Sequence, residues 1–351
     1  ALAAAEDPAY FESGVSAGTG PYAIKSVDPG VQVVLGQNTD YWGGWDGTHF
    51  GTVIAQITPE AIVQQQMLEG GQVDLATSLP LENMDLIAAN DAFEVVECAT
   101  ASNYLGYFNT LREPLDDPLV RQALSYAIPY EDIITIGAQG FGNQAQSPVP
   151  AGIFPFDESF AQYHQDLEKA AELLAEAGHE GGGFSLNLTY TAENQAEARF
   201  APLIKDAFAQ IGVEVEVTPM LWNQQWELAK SDPANAQDIF LVLYWPTYSD
   251  AGSDNLYSLF RSSEVPFFNL SYWANDEYDA LIDEAVAITA VDRDAAQAKF
   301  AEAVQLLHDE APGLFFYDVV APVVVPAGIE GMTCNPNYAF NMFFYSLAPR
   351  A

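Results

Sequence analysis

Histidines and carboxylates are the side chains of this sequence that could do acid–base or metal chemistry. The four histidines are His49, His164, His179 and His308, and they stand far apart in the chain. The sequence contains no HExxH zinc motif, no GxSxG nucleophile motif and no GxxxxGK[ST] phosphate loop. With 49 Asp and Glu residues, chance alone brings some carboxylates together, so pairs of them do not establish glycoside hydrolysis. We therefore predict no catalytic residue, no metal site and no cofactor.

Noncovalent binding is the chemistry indicated by the stretch 245–255, which reads WPTYSDAGSDN and follows an apolar run at 239–244. It holds two aromatic and three short polar side chains, namely Trp245, Tyr248, Asp250, Asp254 and Asn255. Aromatic faces pack on sugar rings or apolar groups, while carboxylates and amides orient a ligand by hydrogen bonds. We expect a ligand-binding loop here. The alternative is an exposed loop with a helix cap at Asp254.

The two cysteines, Cys98 and Cys334, each lie in a stretch predicted to be a strand. No CxxC motif and no cysteine–histidine cluster accompanies them, so a zinc site is not indicated. In an oxidising compartment they could pair, and otherwise they would be two buried thiols. The sequence leaves both readings open, although we expect the two residues to lie within bonding reach.

Charge and composition exclude several classes of protein. Eleven Lys and Arg against 49 Asp and Glu give a net charge of −38 over 351 residues. Phosphate binding needs clustered cations, so nucleic acid is not an expected partner. The carboxylates are scattered, which favours a solvated anionic surface over an acidic tail. No apolar run reaches the roughly 18 residues that a membrane span needs. The length suffices for two domains or one large bilobal domain.

Alternating helices and strands are predicted to position the binding loop. The stretch 104–128, YLGYFNTLREPLDDPLVRQALSYAI, predicts an extended segment and then a helix that Asp117 caps and Pro129 ends. The apolar run at 239–244 suits a strand buried on both faces. Other predicted helices include 166–177, 196–211, 224–230, 276–290 and 293–309, and the last thirty residues are predicted to be strand-like. This order predicts an α/β fold with a mixed or parallel sheet, whose ligands bind beyond the carboxyl ends of strands.

The same stretch 104–128 resembles the crossover of family 5 extracytoplasmic solute-binding proteins, the peptide, nickel and opine binders of ABC importers. In that family a YLGFNT-like strand passes between two lobes and a VRQALSYAI-like helix follows. The segment GTGPYA at 18–23, a pair of strands and NTDYWGG at 38–44 match the family in order and spacing. The resemblance implies a bilobal, periplasmic-binding-protein-like fold of type II, with two lobes of mixed sheets joined by a hinge.

The resemblance also implies a domain organisation and a location. Residues 1–103 would form part of lobe I, 104–320 would form the ligand-binding lobe II, and 321–351 would return to lobe I. Family members carry a long segment before the GTGPY-like element, so we expect the N-terminal portion of that lobe to be absent from this chain. The protein would be periplasmic or extracellular. Its partner would be an importer permease, and it would meet the membrane only through the permease or a lipid anchor outside this chain.

Further binding residues follow from the resemblance. The crossover strand contributes Tyr107 and Asn109, and Phe268 and Asn269 lie in PFFNLSYW, which is similar to the family's NFSGY-like segment near the cleft. Trp222 follows the predicted strand 213–217 in the same layer of the sheet.

Two departures from the peptide-binding pattern bear on the ligand. The relatives' loop reads W-x-x-D-Y-x-D-P-D-N, and its first Asp holds the peptide's ammonium group. Here Tyr248 takes that place, and only Asp254 and Asn255 match, so Asp250 would have to substitute. The relatives' carboxylate-binding Arg is replaced by Ala198, with an Arg one position later. Both departures disfavour a free dipeptide.

We therefore expect a receptor that captures a peptide-like or oligosaccharide-like solute in an interlobe cleft, by closure about the segment 104–109 and without covalent chemistry. Trp222, Trp245, Tyr248 and Asn269 should line that cleft. The alternative function is a secreted hydrolase that acts on carbohydrate or peptide.

Overall fold

The computed structural model describes residues 18–245, 250–264, 267–338 and 341–350. Its strands, in chain order, are β1 (Tyr22–Asp28), β2 (Gln32–Gln37), β3 (Thr52–Gln56), β4 (Phe93–Phe108), β5 (Gly142–Gln144), β6 (Ser185–Thr191), β7 (Glu214–Met220), β8 (Ile239–Tyr244), β9 (Gly313–Pro326), β10 (Ile329–Glu330) and β11 (Ala348–Pro349). The α-helices longer than three residues are α1 (Ala61–Glu69), α2 (Met84–Ala88), α3 (Pro118–Ala127), α4 (Leu167–Glu176), α5 (Gln195–Gln210), α6 (Trp222–Ser231), α7 (Tyr257–Phe260), α8 (Asp276–Ile288) and α9 (Arg293–Glu310). Within these ranges we find no helix with the length and apolar character needed to span a bilayer.

The chain divides into two compact units, one made of residues 1–98 and 322–351 and the other of residues 99–321. In the first unit, β1, β2 and β3 form an antiparallel sheet with β2 in the middle, and β10 pairs with β11. A disulfide joins Cys98 to Cys334, whose Cα atoms lie 5.3 Å apart. The pairing that the sequence left open is therefore present.

The prediction of a strand-like chain end is wrong for most of its length. Strand β9 ends at Pro326, and beyond it the described residues contain only the two-residue strands β10 and β11 and two short 3₁₀ turns. Cys334 lies between these elements in irregular chain and not in a strand. The apolar residues of this segment favoured strands. Its Gly, Pro and Asn residues, however, interrupt hydrogen bonding between strands.

A mixed six-stranded sheet forms the centre of the second unit, with strand order β5-β9-β4-β8-β6-β7. Strands β6, β7 and β8 run parallel to one another, while β4 runs antiparallel to β8 and β5 antiparallel to β9. The continuous apolar run of β8 places it inside this sheet, between β4 and β6, as its sequence predicts.

Helices cover both faces of this sheet, because successive side chains of a strand point to opposite sides. Along β4, Tyr104 and Phe108 enter a core that α3, α4 and α5 complete. Leu105 and Tyr107 enter a second core on the other face, which α8 and α9 complete. The result is a helix–sheet–helix sandwich in which residues 104–108 of β4 are internal to the second unit.

Helix starts follow local sequence closely. Asp117 accepts a hydrogen bond from the Leu119 amide at 2.8 Å, and Pro118 occupies the first helical position of α3. Helix α6 starts at Trp222, two residues before the predicted start. Trp222 therefore belongs to the first turn of a helix rather than to the preceding loop.

Candidate functional site

One edge of the six-stranded sheet collects most of the predicted binding residues. Because β6, β7 and β8 are parallel, their carboxyl ends at Thr191, Met220 and Tyr244 lie at the same edge. The antiparallel strand β4 contributes Asn103, which pairs with Tyr244 at that edge. Crevices beyond the carboxyl ends of strands are the usual ligand sites of α/β sheets, so the candidate site belongs here.

A row of four aromatic rings, which we call the aromatic row, runs along this side of the second unit. Its members are Trp222, Trp226, Phe268 and Tyr244. The ring centroids of Trp222 and Trp226 lie 5.4 Å apart, and those of Trp226 and Phe268 also lie 5.4 Å apart. Tyr244 lies 6.2 Å from Phe268, edge to face. Helix α6 supplies the two tryptophans one turn apart, which places both on one helix face.

A cation accompanies the aromatic row. The Lys230 ammonium lies 5.3 Å from the Trp226 ring centroid and 5.5 Å from that of Phe267. Such contacts hold a cation over the negative faces of the rings. Trp222 and Trp245 are 39% and 47% exposed, so both present ring surface to solvent. Tyr248, predicted to join them, lies outside the described residues.

The polar residues Asp250, Asp254 and Asn255 of the loop all form hydrogen bonds within the protein. The Asp250 carboxylate accepts from the amides of Gly252 at 2.9 Å and Ser253 at 3.2 Å, which starts the following turn. Asp254 is buried and accepts from the Tyr244 hydroxyl. Asn255 is fully buried, and its amide donates to the Pro148 carbonyl at 2.7 Å.

Three other predicted residues are buried and form contacts inside the second unit. Asn109 donates to the Pro233 carbonyl at 2.8 Å. Asn269 donates to the carbonyls of Phe260 and Trp273 at 3.1 and 2.9 Å, which holds the chain beside Phe268. Tyr107 packs on the rings of Phe240 and Phe260. The structure thus brings Trp222 and Phe268 together through Trp226, and it encloses Asn109, Asn269 and Tyr107 in the interior.

A polar chain at the same sheet edge was not anticipated. The Tyr104 hydroxyl donates to Asn194 Oδ1 at 3.1 Å, and Asn194 Nδ2 donates to Glu197 Oε1 at 3.0 Å. Glu197 Oε2 accepts from the Thr191 amide at the end of β6 at 2.8 Å. Burial raises the pKa of Glu197 to about 8, against the backbone hydrogen bonds of Thr191 and Leu243 that lower it. The signal was in the sequence, because Asn194-x-x-Glu197 has the spacing of a capping box at the start of α5.

Arg199, the arginine one position after Ala198, donates from Nε to the Gly137 carbonyl at 2.9 Å. For metal ions, the described ranges contain no group of three or more His, Cys, Asp or Glu side chains arranged as ligands.

Comparisons with known proteins agree on one family. Residues 4–266 match the family described as bacterial extracellular solute-binding proteins, family 5 Middle. The chain is similar to heme-binding protein A of Haemophilus influenzae, with 28% identity over 332 residues that cover 93% of this chain and 59% of that protein. It is also similar to the dipeptide-binding protein of Escherichia coli, with 27% identity over 329 residues that cover 91% of this chain and 59% of that protein.

Solved structures repeat the fold. The structure of HbpA2 from Haemophilus parasuis superimposes with a TM-score of 0.81 at 23% identity, and the match covers 95% of this chain and 64% of that one. The sheet and helices of the chain are thus those of the bilobal periplasmic binding proteins. The chain spans about three fifths of the length of the curated relatives it matches, 59% for both of those named above.

Proposed function

The chain belongs to the bacterial extracellular solute-binding proteins of family 5, and from this we propose that it is the ligand-binding portion of a receptor for an ABC importer. The receptor would work outside the cytoplasmic membrane and deliver its solute to a permease. Its ligand would be held by noncovalent contacts and would favour one conformation of the receptor over others. The observation that carries the proposal is the aromatic row at the carboxyl edge of the six-stranded sheet.

A peptide-like ligand fits this edge. The rings of Trp222 and Trp245 offer exposed apolar faces, and the half-buried Asp250 follows a few residues after Trp245. Aromatic faces with a few polar groups suit a ligand that alternates apolar side chains with amide groups. Relatives named as dipeptide-binding and glutathione-binding proteins support the same class. An oligosaccharide is the second class, because sugar rings stack on the same faces.

The rival function is hydrolysis of peptide or carbohydrate. What favours a receptor is that the relatives are named for the solutes they bind. A receptor and a hydrolase differ in what becomes of the ligand.

Native mass spectrometry of the protein purified from its source should reveal a bound solute at one per chain. Incubation of the ligand-free protein with that solute, and with panels of peptides and oligosaccharides, should give saturable binding and intact ligands. Release of products in excess of the protein concentration would overturn the receptor proposal. Binding of sugars without peptides would exclude the peptide class and leave the receptor in place.

A further inference from the structure

Strands β6 and β8 are neighbours in the six-stranded sheet, but they pair over a short stretch. Within the described strands they pair at Leu188 with Ile239 and at Thr189 with Phe240. By contrast, β7 follows β6, and β4 follows β8, over their whole lengths. The carboxyl ends of β6 and β8 therefore depend on other groups to hold them together, because backbone donors and acceptors inside a protein need partners.

A buried side chain on each face of the sheet joins the ends of these two strands. Glu197 of α5, on one face, accepts from the backbone amides of Thr191 on β6 and Leu243 on β8. Gln225 of α6, on the opposite face, donates from Nε2 to the Leu241 carbonyl of β8 at 3.1 Å and accepts at Oε1 from the Thr191 hydroxyl at 2.9 Å. Both Glu197 and Gln225 are fully buried, so water does not compete for these hydrogen bonds.

The position of Gln225 is fixed from further directions. Its Nε2 also donates to the Thr189 hydroxyl at 3.2 Å, and its backbone carbonyl accepts from the Gln237 side chain at 3.4 Å. Along α6, Gln225 stands three residues after Trp222 and directly before Trp226. Residues within one turn of a helix keep a fixed geometry, so a side chain anchored at position 225 also determines where these two rings stand.

We propose that Gln225 is a positioning residue of the binding site, which fixes α6 against the ends of β6 and β8 and so sets the place of Trp222 and Trp226. Leu221, which precedes α6, has an apolar side chain that cannot cap the helix, so the first turn depends on other restraints. An apolar side chain, such as that of Ala229 one turn later, would fill the buried position without the cost of desolvating an amide. What the amide adds is a hydrogen-bonded connection from the helix to both strands. The inference rests on the proposed function, which gives the aromatic row its role.

The first test removes these hydrogen bonds and keeps the size of the side chain. Gln225→Met does so, and the matched control is Gln224→Met at the exposed neighbouring position. The indoles of Trp222 and Trp226, whose centroids lie 5.4 Å apart, should give an exciton signal in circular dichroism. That signal is the difference between each protein and the same protein with Trp226→Phe. We expect it to be lost in Gln225→Met and kept in Gln224→Met. An unchanged signal in Gln225→Met would overturn the proposal.

A second variant gives a readout that a loss of packing would not produce, and it serves also if Gln225→Met fails to fold. In Gln225→Glu, a protonated carboxyl can donate to the Leu241 carbonyl and accept from the Thr191 hydroxyl, whereas a carboxylate cannot donate. Burial favours the protonated form, so the exciton signal should equal that of the unaltered chain at about pH 5. It should weaken relative to that chain as the introduced carboxyl ionises. A signal that is absent at every pH from a folded Gln225→Glu protein would overturn the proposal.

Binding distinguishes this inference from the receptor proposal. The probe is the solute that native mass spectrometry finds on the unaltered chain. Its affinity should fall about 10-fold in Gln225→Met and stay unchanged in Gln224→Met. Full affinity in a folded Gln225→Met protein would overturn the positioning role and leave the receptor in place. If the unaltered chain binds no solute, the receptor proposal fails, and the exciton signals, which need no solute, still decide whether Gln225 positions the rings.

Discussion

Arg121 of helix α3 donates from Nε to the carbonyl oxygen of Glu310, the last residue of α9, at 2.9 Å. The same guanidinium reaches the Ala311 carbonyl at 3.2 Å and, through Nη1, the carbonyls of Leu115 and Asp116 at 2.8 and 3.1 Å. Arg121 is 2% exposed. A cation at the end of a helix also complements the partial negative charge of its last carbonyls. One buried fork thus joins α3, the segment before it and the end of α9.

Replacement of the buried Arg121 guanidinium should destabilise the folded protein. In Arg121→Lys a single ammonium cannot serve four carbonyls in two directions, so buried carbonyls lose their donors. We expect the free energy of unfolding to fall by about 2–4 kcal/mol. Urea denaturation followed by circular dichroism measures it.

The control for that change is Arg350→Lys, since Arg350 forms a single 3.7 Å contact with the exposed Glu94. Surface pairs contribute about 0–1 kcal/mol, so the control should be nearly neutral. If Arg121→Lys unfolds at the same urea concentration as the control, the fork does not hold the helices together.

The disulfide should stabilise a segment that has little regular structure. Cys98 and Cys334 close a loop with a sequence separation of 236. Cross-linking across so many residues removes chain entropy from the unfolded state, and its loss costs about 2–5 kcal/mol. We expect the double variant Cys98→Ser, Cys334→Ser to melt at a lower temperature. Reductant should lower the melting temperature of the natural chain and leave the double variant unchanged; an effect of reductant on both would mean that it does not act through this bond.

Sequence patterns predicted where helices and strands occur. They predicted less well which polar side chains are buried. The run at 239–244 suited a strand enclosed on both faces, and Asp117 and Asp166 marked the starts of α3 and α4 by local chemistry that needs no tertiary contact. Asn109 and Asn269, which the sequence suggested for ligand contacts, are buried and donate to backbone carbonyls. An amide that would orient a ligand is equally suited to satisfy a buried carbonyl, and only the packed structure distinguishes the two roles.

The hydrogen bonds that Asn103 and Asn255 both donate to the Pro148 carbonyl could not be predicted for a related reason. Asn103 stands on β4 and Asn255 in the turn Gly252–Leu256, and no local motif connects them. Their proximity depends on the order of strands in the sheet, which the alternation of helices and strands does not determine. By contrast, Asn194 and Glu197 are three residues apart in the chain, so their capping-box spacing can be recognised from the sequence alone.

Glu197 should make stability decline as pH rises. Burial raises its folded-state pKa to about 8, above the ordinary value near 4.5, so the folded protein holds this proton more tightly than the unfolded chain does. The contribution of Glu197 to the free energy of unfolding is therefore fully present below its unfolded-state pKa and is lost as pH rises to about 8. We expect a contribution of up to about 3 kcal/mol between pH 5 and pH 8.

The variant Glu197→Gln cannot lose a proton, so its free energy of unfolding should fall less steeply over the same pH range. The variant should also be less stable than the unaltered protein at pH 5. Asn194 Nδ2 and the Thr191 amide each donate a hydrogen bond to the Glu197 carboxyl, and the NH2 group of Gln would face one of these donors. Denaturation curves at several pH values give both quantities. Parallel pH profiles for the two proteins would show that Glu197 does not titrate in this range.

Trp245 is the residue whose loss should separate binding from folding. It follows the last residue of β8 at the carboxyl edge of the sheet and is 47% exposed, so its removal takes ring surface from the edge and little from either core. If the proposed function holds, Trp245→Ala should weaken binding of the identified solute about 10-fold or more, which is about 1.4 kcal/mol. Calorimetry measures the affinity, and the melting temperature should change little.

The matched control is Trp42→Ala, because Trp42 belongs to the first unit and is 81% exposed. It removes the same side chain from a surface that the aromatic row does not include, so affinity should stay at its original value. If both variants bind as the unaltered chain does, Trp245 is not part of the site. If both lose affinity equally, the loss reflects a general effect of removing exposed tryptophan. Only a loss confined to Trp245→Ala in a folded protein assigns the ligand to the carboxyl edge of the six-stranded sheet.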